Sequence, residues 1–249
     1  MRLVFAFLTL MSFSRFAVAA SVADDVERYV RIFDGDKALH SDAADTFSWI
    51  GLSDTRLFDI IERRLLADAE AARPDRDEKN RVARYIRSLG FSGQPKYEPT
   101  IKRFVGDIVY NRYATAALLN IPQYQKWNPI ISDRSSFDPK VSDDVNRVSN
   151  MLRSDDLLLK GVGARRVYFG IQEDSVLDLL AQQVKIYYAR ADLDGSDSSD
   201  SVAWMVKALG SSKKEKYKPL IQEVAKNGKT KPVVKHANQA LDKYYGIKN

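Results

Sequence analysis

Apolar residues recur along this chain at steps of three and four. Leu57, Ile60, Ile61 and Leu65 share one face of a helix, and Val82, Ile86 and Leu89 share another. Strand-like alternation is hard to find anywhere, and helix-favouring residues fill the stretches between turn signals. The pattern predicts an all-α protein built from helix pairs. In the first half these are 26–33 with 39–50, 55–68 with 78–89, and 97–105 with 109–119. In the second half they are 145–152 with 157–169, 174–189 with 200–209, and 217–225 with 232–244. The stretch 121–131, with Pro122 and Pro129, reads as an extra short helix.

The two halves repeat one another. "KYEPTI" at 96–101 returns as "KYKPLI" at 216–221, and "RVARYIRSLG" at 81–90 aligns without gaps with "SVAWMVKALG" at 201–210. Both shifts are 120 residues. Leu57, Ile60, Ile61 and Leu65 correspond to Val176, Leu179, Leu180 and Val184 at a shift of 119. "YATAAL" at 113–118 pairs with "HANQAL" at 236–241, so small insertions account for the drift. Gly51, Gly90, Gly170 and Gly210 each follow a second helix, where glycine can adopt the left-handed conformation that closes it. The connecting loop is 132–144, rich in Ser and Asp and holding Pro139. The expected organisation is a first half at 20–131, that loop, and a second half at 145–249.

"KYEPTIKRFVGD" and "KYKPLIQEVAKN" put proline near the start of an apolar helix. Each is followed by a helix of basic residue, alanine and leucine: Arg112, Ala114, Ala117 and Leu118, then Lys235, Ala237, Ala240 and Leu241. With the "SLG" and "ALG" endings, these features resemble HEAT-like helical repeats. The resemblance implies an α-solenoid of about six helix pairs, arranged as an internal duplication, whose second helices line a concave surface used for protein binding. Asp107 and Arg112 also match a polar pair common in the family, whereas Asn227 and Lys235 stand near those places in the other half. Physically, one pair cannot bury its apolar face alone, and stacked neighbours share a continuous core.

The N-terminus changes where the folded chain begins. Arg2, an apolar run at 3–13 and Ala17-Val18-Ala19 read as a secretory signal over 1–19, leaving Ala20 first. About 20 apolar residues are needed to cross a bilayer, and no later run reaches that, so no transmembrane segment is expected in the mature chain. The compact leader points to a bacterial signal and so to the periplasm.

Composition removes several chemistries. The chain has no cysteine, which excludes disulfides, thiolate metal sites and a cysteine nucleophile. Residues 207–249 carry 11 lysines and three acids, within a net charge of +6 for the whole chain. Such an end could meet an anionic surface, although a solvated lysine-rich helix pair is the plainer reading. The loop "DLDGSDSSD" at 192–200 has Asp197 and Ala203 where a calcium-binding EF-hand needs glycine and glutamate. His40 and His236 are the two histidines, neither at metal-ligand spacing, and both read as packing residues. "GVGARR" at 161–166 follows no strand and aligns with a plain second helix, not a phosphate loop.

One contrast between the halves points to function. Along 81–89 the core positions agree with those of 201–209, but Arg81, Arg84 and Arg87 stand against Ser201, Trp204 and Lys207. Arginine and tryptophan are enriched at binding hot spots, so this face is the expected partner site. The expectation is an exported, non-catalytic scaffold that binds a protein or peptide, with no cofactor, no metal and no nucleic acid. Its alternative is an anionic polymer or membrane surface bound through the lysine-rich end.

Overall fold

The computed structural model describes residues 21–71, 75–195 and 197–247. The leader expected at 1–19 lies outside them. The described residues form twelve α-helices and no strand. Polar caps set where helices begin. Ser21 and Asp24 form a reciprocal capping box at the start of α1 (Val22–Asp34). Asp54, Asp75, Ser142 and Asp156 cap α3 (Thr55–Asp68), α4 (Arg76–Phe91), α7 (Asp143–Arg153) and α8 (Leu157–Phe169) through their side chains.

The remaining helices are α2 (His40–Ile50), α5 (Glu98–Lys102), α6 (Asn111–Ile131), α9 (Asp174–Tyr187), α10 (Asp197–Ser211), α11 (Lys218–Asn227) and α12 (Lys231–Tyr245). The second helices of the pairs are neighbours in series, α2 on α4 on α6, and α8 on α10 on α12. Among the first helices, α1 lies on α3 and α7 on α9. Buried apolar side chains form two clusters, one drawn from residues 26–131 with Met151 and Leu159 added, the other from residues 145–241.

Burial repeats along with sequence. Positions 81–90 and 201–210 have the same order of buried and half-buried residues, with only the fourth and seventh open in each. The Tyr97 hydroxyl donates to Asp59 at 2.7 Å, and that of Tyr217 to Asp178 at 2.8 Å. His40 Nε2 lies 3.0 Å from the Ile32 carbonyl, while Lys160 Nζ donates to the Leu152 carbonyl at 2.7 Å. Each of these pairs is related by a shift of 119 or 120 residues.

Three details differ from the sequence expectation. Gly51 closes α2 at φ 78° and Gly170 closes α8 at φ 151°, but Gly90 and Gly210 lie inside α4 and α10. Their value there is closeness: a Cβ on Gly90 would stand 2.6 Å from Ala117 Cα, and one on Gly210 would stand 2.6 Å from Ala240 Cβ. The left-handed turn comes three residues later, at Gly93 (φ 68°) and Lys213 (φ 57°). Secondly, the short helix at 121–131 is continuous with the one before it, as α6. Interior proline costs a helix roughly 3 kcal/mol, and here tertiary contacts offset it. Asn128 Nδ2 reaches the carbonyls of Leu52, Phe91 and Ser92 at 2.9–3.2 Å, and Tyr124 donates to the Ser48 carbonyl at 2.9 Å. Thirdly, Asp107 accepts from the N–H groups of Val109 and Tyr110, and Arg112 lies over the Tyr113 ring.

Polar groups join the halves. Asp25 on α1 accepts from Arg134 in the connecting loop at 2.8 Å and from Arg147 on α7. Trp127 Nε1 on α6 donates at 2.7 Å to Asp156, the residue that caps α8. A cleft lies between the two sets of second helices, lined from both halves.

Candidate functional site

The cleft has a volume of about 540 Å3 and takes lining residues from α2, α4, α6, α8 and α10. Its apolar walls are Trp49, Phe91, Tyr124 and Trp127, each more than nine-tenths buried, with Leu158 and Val162 beside them. Phe169 stands on the rim and is 69% exposed.

Three arginines enter the same space. Arg87 comes from α4, and Arg165 and Arg166 come from α8. Each lies over a ring: Arg166 is 4.0 Å from the Trp49 centroid, Arg165 is 5.3 Å from Trp204, and Arg87 is 5.5 Å from Phe91. Burial pulls the Arg166 guanidinium below its usual value, against the opposing field of Asp144. Its Nε is buried and makes no hydrogen bond among the described residues. Asp197 and Asp200, in the N-terminal turn of α10, and Asp45 of α2 line the same cleft.

Of the five residues expected to bind, the structure brings only Arg87 into this cleft. Trp204 forms an aromatic cluster with Tyr168 and Phe169 at its edge, at centroid distances of 5.7 and 6.5 Å. Lys207 Nζ lies 4.1 Å from the Trp204 ring and 4.4 Å from that of Tyr168, and opens onto a second cleft of about 360 Å3 beside His236. Arg84 is half-buried and pairs with Asp45 at 3.0 Å. Arg81 is the correction: it is 8% exposed and held by Glu78 and Asp68. Its counterpart Ser201 is equally buried, under Gly161. The divergent face is therefore two positions wide.

His40 is fully buried and packs as the sequence reading expected. With Nε2 facing a carbonyl it carries the proton there, which leaves Nδ1 to accept from the Tyr85 hydroxyl at 2.6 Å. Burial holds its pKa below the ordinary histidine value. His236 is half-buried, and its pKa is lowered by burial and then by Lys207 and Lys235. Among the described residues no group of His, Cys, Asp or Glu could hold a metal ion, and no helix is long and apolar enough to cross a membrane.

Trp49, Arg165, Arg166 and Phe169 were missed by sequence reasoning. A signal was present, because at a shift of 120 Asp45 and Thr46 stand where Arg165 and Arg166 do. The comparison of outer faces made for α4 and α10 also applies to α2 and α8.

No family model matches the chain, and no curated protein matches it. Among solved structures, human deoxyhypusine hydroxylase in complex with glycerol is similar at 15% sequence identity and a TM-score of 0.38. The match covers 90% of this chain and 85% of that one. A likeness at this level assigns neither a fold nor an activity.

Proposed function

We propose that this chain is an exported, non-catalytic scaffold, an α-solenoid of duplicated HEAT-like helix pairs that holds a protein or peptide segment in the cleft between its second helices. The observation that carries the reading is the cleft itself, where aromatic walls, an exposed Phe169 and three ring-stacked arginines converge. Tryptophan, tyrosine and arginine are enriched among the few residues that dominate binding energy at protein interfaces. Here they are fixed in advance by helix packing, which lowers the ordering cost of association. The mechanism is stoichiometric: a preformed surface captures a segment and no bond is made or broken.

A photocrosslinking residue placed at Phe169 in the cell tests this. The expected result is discrete protein adducts that are missing when the probe stands at Leu119, which is 72% exposed but outside the cleft. Equal adducts from both positions, or none from either, would contradict the reading.

The second reading is an anionic polymer or membrane surface at the basic end. Lys226, Lys229, Lys231 and Lys235 stay exposed around the turn between α11 and α12, which favours it. Lys214, Lys216 and Lys218, however, are already paired with Asp174, Asp178 and Glu215. Binding that weakens steeply with salt and ignores changes at Phe169 would support this surface instead.

A further inference from the structure

We infer that the segment accepted by the cleft is acidic: a peptide whose Asp or Glu side chains meet Arg87, Arg165 and Arg166 while flanking apolar side chains meet the aromatic walls. This rests on the scaffold reading above. Several other arginines pair with carboxylates, Arg84 with Asp45, Arg81 with Glu78, and Arg134 and Arg147 with Asp25. Arg112 lies on the Tyr113 ring with no such pair among the described residues, and the cleft is where three arginines of this kind come together. Among the described residues none of them makes an ion pair with a carboxylate, and each is laid on a ring instead. Stacking fixes the plane of a guanidinium and leaves its in-plane N–H groups able to donate to a carboxylate, often in pairs. The buried Arg166 Nε already carries a desolvation cost without a bond in return, and an incoming carboxylate would offset it.

Carboxylates in the same cleft decide between kinds of anion. Asp197 and Asp200 line it from α10, the helix packed against α8, and both are exposed, as is Asp45 on α2. A nucleic acid or acidic polysaccharide carries negative charge at every step and would be repelled by these carboxylates. A peptide can set an acid against α8 and a neutral or basic residue against α10. The volume of about 540 Å3 also suits a few side chains in contact with the walls.

The test is selection of phage-displayed random dodecapeptides on the full chain and, in parallel, on the double variant Arg87→Glu/Arg165→Glu. Arg87 is half-buried and Arg165 exposed, and circular dichroism verifies that the variant keeps its helices. The expected outcome is enrichment of peptides with Asp or Glu beside aromatic or aliphatic residues. As synthetic peptides in fluorescence anisotropy, these should bind the variant at least 10-fold more weakly. They should lose as much when their acids become Asn or Gln. Enriched peptides that lack acids, or that ignore both changes yet are lost with Phe169→Ala, would overturn the charge inference and leave the peptide cleft standing. Failure to enrich any peptide would overturn both. A (dT)20 oligonucleotide that binds more tightly than the peptides and is lost in the same variant would assign the cleft to a polyanion.

Discussion

Lys160 donates a hydrogen bond of 2.7 Å to the carbonyl oxygen of Leu152, at the C-terminal end of α7. It is 4% exposed, and its second partner is the neutral amide oxygen of Gln183 at 2.8 Å. At the equivalent place in the first half the smaller charge demand of His40 serves the same end, holding the last turn of α1 against α2. Two chemically different side chains thus anchor one repeated junction.

This relation has a consequence for pH. Burial holds the Lys160 amine below the ordinary lysine value of 10.5, partly opposed by Asp155. The unfolded chain binds that proton more tightly, so between the lowered value and 10.5 stability rises with pH. Above pH 10 the buried tyrosines act the other way. Tyr85 and Tyr217 are each pushed up to about 12, chiefly by burial, so the unfolded chain releases those protons first and stability falls. Urea midpoints from pH 7 to 11 should show this rise and fall in the parent chain. Lys160→Met should flatten the rise and keep the fall, and a rise that survives in that variant would place its origin elsewhere.

The repeated Lys-Tyr pair separates a strong contact from a weak one. Tyr97 is fully buried and its hydroxyl bonds Asp59, whereas Lys96 and Asp59 form an ion pair with both side chains about half exposed. Tyr97→Phe should cost about 1.5–3 kcal/mol, since the acceptor is charged. Lys96→Ala should cost less than about 0.5 kcal/mol. Chemical denaturation of both variants checks the order, and equal losses would be inconsistent with it.

At the end of α10, losing a glycine and gaining one should have opposite effects. Gly210→Ala drives a Cβ to within 2.6 Å of Ala240 and should destabilise by about 1–3 kcal/mol, in spite of alanine's better helix propensity. Lys213 holds φ 57° where the first half has Gly93. Lys213→Gly should therefore stabilise by about 0.5–1 kcal/mol, the left-handed penalty less the entropy glycine loses on folding. Thermal melts of the pair give both signs.

Helix type and the buried positions of each pair were legible in the sequence because a 3.6-residue period is written in single side chains. Val82, Ile86 and Leu89 are core, as are Val202, Val206 and Leu209. The outer face was only partly legible. Residues six apart, such as Arg81 and Arg87, sit about 120° apart around a helix, so a row read as one face runs into the neighbouring helix at Arg81. The continuity of α6 was hidden because Pro122 and Pro129 read locally as breaks, whereas the contacts of Asn128 and Tyr124 that sustain it come from 36 to 76 residues away. The cleft could not be read from any one motif, since its walls come from both halves and are brought together by contacts distant in sequence, such as Arg147 with Asp25 and Trp127 with Asp156.

The most direct measurement uses the absence of cysteine from the chain. A single cysteine introduced at Phe169, Leu119 or Lys235 reports local accessibility through its alkylation rate, with and without a peptide selected on the parent chain. Binding in the cleft should slow alkylation at position 169 at least 10-fold and leave positions 119 and 235 unchanged. Protection at 235 with none at 169 would move the site to the lysine-rich end and contradict the cleft as the place of binding.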